Sequence, residues 1–183
     1  DLGTNDQTPP LTGTIDDADA TGDVTVDGQA NAFTNNGSTW SLADDTLTAL
    51  TEGAYDVSVT ATDAVSNAAS DATADELTVD LTAPVVTVDS LTTGDSTPAL
   101  GGTVDDTAAT ISVTVDGQVN AATNNGDGTW SLADDTLTAL ADGVYDVSVT
   151  ATDGVGNAAS DATAGELTVD LTAPVVTVDS LTT

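Results

Sequence analysis

No lysine, arginine, histidine, cysteine or methionine occurs in this chain, yet 31 of its 183 residues are acidic. Each absence removes a class of chemistry. Without cysteine there are no disulfides, thiolate zinc sites or thiol nucleophiles. Without histidine there is no imidazole base, which removes Ser-His-Asp catalysis. Without lysine or arginine there is no electrostatic footprint for nucleic acid, and the negative surface repels phosphate and anionic membranes alike. No apolar run approaches the roughly 18 residues of a spanning helix, and no signal-peptide pattern is present. The abrupt opening and close read as those of a piece of a longer chain. Aromatic residues make up only 3%, so the core must be built from Val, Leu, Ile and Ala.

What is there is aspartate. Only Glu52, Glu76 and Glu166 are glutamate. With no side-chain cation to answer it, the charge must be met by solvent or by metal. The short carboxylate suits tight turns and hard-cation loops, because its oxygens stay close to the backbone. High charge and few aromatics favour disorder. Against that, Val57-Ser-Val-Thr-Ala61 and similar runs alternate apolar with small polar residues, the period-2 mark of half-buried strands.

Repetition organises the chain. Thr-Asn-Asn-Gly at 34–37 returns at 123–126, and the eleven residues from Trp40 to Leu50 return at 130–140. The segment 77–93 returns unchanged at 167–183. A period of this size is a domain, not a solenoid rung. The spacing predicts a first repeat over 1–80, a second over 81–170, and a linker with the first strand of a following repeat over 171–183. In the second repeat it predicts strands near 84–89, 99–105, 110–116, 119–123, 129–133, 144–152 and 166–170. Asp116-Gly117 is a hairpin signal. About seven short strands per repeat fit an all-β fold of tandem Ig-like antiparallel Greek-key sandwiches, end to end. Tyr55 and Tyr145 sit where a tyrosine corner would close the crossing between sheets. Trp40 and Trp130 are expected in the cores. Asp44-Asp45 and Asp134-Asp135 are expected to cap a helical turn, and Asn124–Gly128 to form a plain turn.

Several motifs fall in order: Leu-Thr-Gly-Thr (11–14), Asn-Gly-Asp-Gly-Thr-Trp (125–130), Val-Thr-Ala-Thr-Asp-x-x-x-Asn and Leu-Thr-Val-Asp-x-Thr-Ala-Pro. This combination resembles the bacterial Ig-like repeats of giant repeats-in-toxin surface adhesins, along the whole chain. The resemblance implies an extracellular protein at the bacterial cell surface. It also implies that the tandem "extender" domains are non-catalytic spacers, partnered by neighbouring repeats of the same chain and stiffened by Ca²⁺ at domain junctions.

The residues support a hard-cation site of their own accord. In such a sandwich the loops after the second and sixth strands share the pole where the chain enters. The expected ligands of the junction are Asp80 and Thr82 from the end of the first repeat, Asp105 and Asp106 from one loop, and Asp153 and Asn157 from another. Asp16, Asp17, Asp63 and Asn67 repeat the set in the first domain, and Asp170 serves a following one. Carboxylates and carbonyls from several segments suit Ca²⁺, which takes six to eight oxygens at about 2.3–2.6 Å, better than Mg²⁺. With no His or Cys, softer metals have little claim.

Alternatives remain open at this level. Asp1-Leu-Gly-Thr aligns with Ser90-Leu-Thr-Thr, so the first repeat has no counterpart of Pro-Val-Val-Thr-Val, whereas Pro174–Val178 is a spare copy. That suggests a filament subunit joined head to tail by strand exchange. A carbohydrate- or ice-binding module would need an exposed aromatic or a flat threonine array. A glycosidase would need a carboxyl group with a raised pKa in a cleft, and no aspartate here sits in an apolar setting.

Overall fold

The computed structural model describes residues 2–179. Two compact units emerge, Asp1–Thr82 with Val155–Asn157, and Ala83–Gly154 with Ala158–Thr183. Each is an all-β sandwich of the Ig-like type.

The first unit contains β1 (Leu2–Thr4), β2 (Leu11–Thr14), β3 (Thr21–Val26), β4 (Gln29–Ala32), β5 (Thr34–Asn35), β6 (Thr39–Leu42), β7 (Gly53–Tyr55), β8 (Val57–Thr62), β9 (Ala68–Ala72) and β10 (Leu77–Val79). Its sheets run β1-β10-β7, β2-β6-β5 and β4-β3-β8-β9. The second unit contains β11 (Leu91–Thr93), β12 (Leu100–Thr103), β13 (Thr110–Val115), β14 (Gln118–Asn124), β15 (Thr129–Leu132), β16 (Gly143–Tyr145), β17 (Val147–Thr152), β18 (Ala158–Asp161) and β19 (Leu167–Val169). Its sheets run β11-β19-β16 and β12-β15-β14-β13-β17-β18. In both units the first strand pairs parallel with the last, β1 with β10 and β11 with β19.

Alternation decides which face each strand buries. In β13, Ile111, Val113 and Val115 are buried and the intervening Ser112 and Thr114 are half-buried. The β3–β4 and β13–β14 hairpins turn on Asp27-Gly28 (φ 48° and 74°) and Asp116-Gly117 (φ 49° and 75°). Two successive positive φ values match the right-handed twist of the flanking strands, and Asp and Gly adopt them at low cost. Trp40 and Trp130 are both buried, with Val24, Val26 and Leu42 or Val113, Val115 and Leu132 around them. The tyrosine corners form as expected. Tyr55 donates its hydroxyl hydrogen to the Thr51 carbonyl at 2.8 Å, and Tyr145 donates to that of Ala141 at 3.0 Å.

The structure corrects the strand reading at four places. The predicted strand 144–152 is two, β16 and β17, lying in different sheets, because the chain crosses the sandwich at Asp146. Strands β11 and β18 were not anticipated, since Leu-Thr-Thr and Ala-Ala-Ser-Asp carry little alternation. Segment 84–89 is no regular strand: it makes one isolated bridge, Val86 to Val104, and is held by the Thr87 and Asp89 N–H groups donating to the Thr103 and Gly101 carbonyls and by the Asp105 N–H donating to that of Val85. No helix forms at Asp44-Asp45 or Asp134-Asp135. Asp45 and Asp135 instead take left-handed φ values of 59° and 60°, stopping any helix, and accept hydrogen bonds from Thr8 and Thr97 hydroxyls at 2.9 and 2.8 Å.

One pair of substitutions explains why β14 is continuous and its counterpart is broken into β4 and β5. In the second unit Ile111 and Ala122 face each other across the ladder. In the first, Gly22 and Phe33 stand in their places. Gly22 has no room for a side chain, since a Cβ there would lie 1.8 Å from the Thr60 carbonyl oxygen. Phe33 fills the vacated core, with its ring centroid 6.0 Å from that of Trp40. The total volume is kept and the strand interrupted.

Candidate functional site

The acidic loops are built first by hydrogen bonds to their own backbone. Asp17 Oδ1 accepts from the Asp19 N–H at 2.9 Å, and Asp106 Oδ1 accepts from that of Ala108 at 2.8 Å. Their carbonyls are clamped by an amide from the opposite hairpin. Asn35 Nδ2 donates to the Asp17 and Ala20 carbonyls at 2.9 and 2.8 Å, and Asn124 Nδ2 does the same for Asp106 and Ala109 at 2.9 and 3.0 Å. Asp63 anchors the other loop of the first repeat. It accepts from the Val65 and Asn67 N–H groups at 2.9 and 2.8 Å, and from Asn67 Nδ2 at 2.7 Å. The Asn67 side chain, foremost among these bonds, holds the Asp63 carboxyl below its usual pKa. Asp127 spends its carboxylate on Thr129, keeping Asn124–Gly128 a plain turn.

The expected metal ligands divide between the units. Asp16, Asp17, Asp63, Asn67, Asp80, Thr82 and Asn157 fall in the first, where the Asn157 amide donates to the Asp80 carbonyl at 2.9 Å. Asp105, Asp106, Asp153 and Asp170 fall in the second. Asp80 and Asp170 each close a turn, accepting from the Thr82 and Thr172 N–H groups at 3.0 Å. Asp105 is tied to Val85 at two points. Its carboxylate accepts from the Val85 N–H at 2.7 Å, and its own N–H donates to the Val85 carbonyl at 3.1 Å. Asp17, Asp80, Asp105, Asp106 and Asp170 all use Oδ1 in this way. Among the described residues no hydrogen bond falls on their Oδ2 atoms. Among the described residues, no three of His, Cys, Asp and Glu gather closely enough to hold a metal ion by themselves. The expected ligands offer oxygen donors, the kind that Ca²⁺ takes.

Four carboxylates matter that sequence reasoning passed over. Glu166, buried among the strands, accepts from the Val147 N–H at 3.0 Å, and Glu76 accepts from that of Val57 at 2.9 Å. The Thr163 and Thr73 hydroxyls, more than those N–H groups, hold the two carboxyls below their usual range. Asp142 accepts from the Leu171 N–H and from the Thr172 hydroxyl, the first chiefly depressing its pKa. Asp161 accepts from the Val88 N–H at 3.0 Å, the main cause of its own depression. A signal existed for the glutamates: in an aspartate-rich chain, the same longer side chain precedes Leu-Thr-Val in both copies. The shifts of Asp63, Glu76, Asp142, Asp161 and Glu166 are all downward, so these groups are ionised at neutral pH, the opposite of a general acid.

A broad concavity belongs to the first repeat. An open groove of about 1120 Å³ has an apolar floor of Leu11, Ile15, Val57, Val59 and Ala61, with Trp40 at its base and Asp16 and Asp71 on its rim. Both tryptophans are buried, so neither is a sugar-stacking platform.

Residues 85–171 match a family model of bacterial Ig-like domains. Residues 39–118, running from the first repeat into the second, match a model of group 3 bacterial Ig-like domains. No curated protein matches significantly. Among solved structures, the fibronectin(III)-like modules of Clostridium thermocellum CbhA align at 14% identity over 92% of this chain and 87% of theirs, TM-score 0.49. A tetra-tandem repeat from the extending region of a large adhesion protein aligns at 29% identity over 91% of this chain and 46% of its own, TM-score 0.42. A Ca²⁺-stabilized, ice-binding adhesin of an Antarctic bacterium aligns at 23% identity over 91% and 45%, TM-score 0.45. This chain thus spans about half the length of those two adhesin structures.

Proposed function

We propose that these two bacterial Ig-like sandwiches are non-catalytic extender modules of a bacterial surface adhesin, acting outside the cell and stiffened by Ca²⁺. The observation that carries the reading is duplication of a bacterial Ig-like unit, most of its sequence kept, whose ionised carboxylates serve turns, not a reaction centre. Duplication that keeps most of the sequence suits spacing: a recognition surface needs one shape, whereas reach needs many copies of the same one.

Calcium enters through charge. Net charge of −31 without a compensating cation favours expansion of the chain at low salt. The Ca²⁺ ligands proposed are Asp16, Asp17, Asp63 and Asn67, with Asp80, Thr82 and Asn157, in the first unit, and Asp105, Asp106, Asp153 and Asp170 in the second. Bound calcium would neutralise these loops and hold turns that hydrogen bonds already shape. Extracellular calcium modules bind at about 10⁻⁴–10⁻³ M, and ligand at a hundredfold excess stabilises by about 2.7 kcal/mol per site.

Thermal unfolding in millimolar Ca²⁺ and in excess chelator tests this. The midpoint should rise with Ca²⁺ and fall with chelator, and Mg²⁺ should substitute poorly. Equal midpoints would remove calcium from the function, and Ca²⁺-dependent capture of a glycan would replace the spacer reading with a lectin-like one.

A further inference from the structure

We propose that Asn36 is a site of chemical modification, losing its side-chain amide to attack by the Gly37 backbone nitrogen, whereas the matching Asn125 of the second repeat is held back by its turn. Asn-Gly occurs twice in the chain, each time within Thr-Asn-Asn-Gly. Glycine has no Cβ to keep its nitrogen away from the preceding side chain, so these two bonds are the most vulnerable to such attack. Both share their residues up to the glycine. A difference in rate between them therefore comes from the fold and from the residues that follow.

The chemistry needs only water. The Gly37 nitrogen gives up its proton to solvent and bonds to Cγ of Asn36. The Cγ–Nδ2 bond breaks, and the amide nitrogen takes a proton from solvent and leaves as ammonia. Water opens the resulting five-membered succinimide at either carbonyl, giving aspartate or isoaspartate at position 36. One water enters and one ammonia leaves.

Both turns stand clear of the sandwich. Asn36 and Asn125 are exposed, and a Cβ built on Gly37 or Gly126 would meet nothing within 4 Å. They also share a brake. The Gly37 N–H donates to Asn35 Oδ1 at 2.9 Å, and the Gly126 N–H donates to Asn124 Oδ1 at 3.1 Å. That bond must break before the nitrogen can attack.

The turns differ in what holds the target amide. Asn36 Nδ2 donates to Ser41 Oγ at 3.1 Å, and among the described residues its Oδ1 accepts no hydrogen bond. Asn125 is held at both ends: its Nδ2 donates to Thr129 Oγ1 at 2.9 Å, and its Oδ1 accepts from Ser131 Oγ at 3.2 Å. Turning its Cγ toward the glycine breaks both bonds. Asp127 adds a carboxylate directly after Gly126, where the first repeat has Ser38. It accepts from the Thr129 N–H and hydroxyl at 3.1 and 2.6 Å, which braces the turn, and its charge opposes deprotonation of the neighbouring nitrogen. In the first repeat an isoaspartate would run the backbone through an extra methylene beside Asn35, whose amide holds the Asp17 and Ala20 carbonyls. The change therefore reaches the acidic loop ahead of β3.

The full chain, incubated at mildly alkaline pH and then cut before aspartate, yields segments 27–43 and 116–126 for mass spectrometry. The mass gain of amide-to-acid exchange should build up in 27–43 several times faster than in 116–126. A new aspartate opens a further cut at position 36 and isoaspartate does not, so the two products are told apart. In concentrated urea the two rates should draw together. Ser41→Ala frees the Asn36 amide and leaves Asn35 in place, so it should raise the rate. Asn35→Ala releases the Gly37 N–H and should raise it about tenfold, the equivalent of one hydrogen bond. Thr129→Val combined with Ser131→Ala should bring 116–126 up toward 27–43. Equal rates in the folded protein overturn the proposal. So does a rate at Asn36 that neither Ser41→Ala nor Asn35→Ala raises, or a difference between the segments that urea leaves undiminished.

Discussion

The two repeats share most of their sequence, yet in the second the extended segment 84–89 lies along the sandwich and in the first there is a groove. The difference reaches well beyond that strand. Val147, Val149 and Ala151 are fully buried in the second repeat, whereas Val57, Val59 and Ala61 are only half-buried in the first. Strand β9 is exposed at every residue, while β18 alternates exposed and half-buried. Asp161 holds a backbone N–H, but Asp71, at the same place, faces the groove. The lesson is that burial here belongs to the assembled sandwich and not to the residue: identical Val-Ser-Val-Thr-Ala-Thr strands have different cores according to what lies over them.

The comparison is broken most directly by unseating the strand. Val86→Asp places an unpaired charge at a buried position and should cost about 3 kcal/mol or more, read as a lower melting transition for the second repeat with the first unmoved. It should also give the second repeat the exposed valines of the first, seen as new binding of an apolar dye. A smaller effect follows from trimming the shared floor. Val149→Ala should destabilise by about 2 kcal/mol through lost burial, and Val59→Ala by distinctly less, because that side chain already meets solvent. Equal losses in denaturant titrations would show that the groove is closed in solution.

The smallest effect is electrostatic. Asp161→Asn should cost under about 1 kcal/mol, since the pair is partly solvated, and Asp71→Asn should cost nothing measurable. The Val88 N–H holds Asp161 below its ordinary value of 3.8. The stabilisation is therefore complete above pH 3.8 and is lost as pH falls through the lower folded-state value. Acid unfolding of the second repeat should lose part of its slope below pH 3.8 in Asp161→Asn. An unchanged slope would show that the Val88 bond carries no charge-dependent stability.

The fold was legible where a short-range rule governs. Strand alternation, the two Asp-Gly hairpins and both tyrosine corners follow from period and turn chemistry. What escaped depends on contacts far apart in the chain. Nothing local distinguishes β18 from a loop, because Ala-Ala-Ser-Asp becomes a strand only beside β17. The interruption at Phe33 is visible only once its facing position is known to be Gly22. Aspartates as a class were expected at turns and poles, but the use of Asp105 and Asp161 as acceptors for an incoming backbone needs the strand in place.

The parallel pairs at the margins of each repeat have a mechanical meaning. In the second, β11 lies beside β19, with the Leu91 N–H donating to the Glu166 carbonyl at 2.7 Å and the Asp170 N–H to the Thr93 carbonyl at 2.9 Å. The chain arrives at the beginning of one strand and departs from the end of the other. Tension on such a parallel pair pulls the strands along their own axes in opposite senses. Their hydrogen bonds then share the load in shear instead of peeling apart singly, and forced unfolding is governed by the barrier to that joint rupture. A module in tow thus meets force with its strongest geometry.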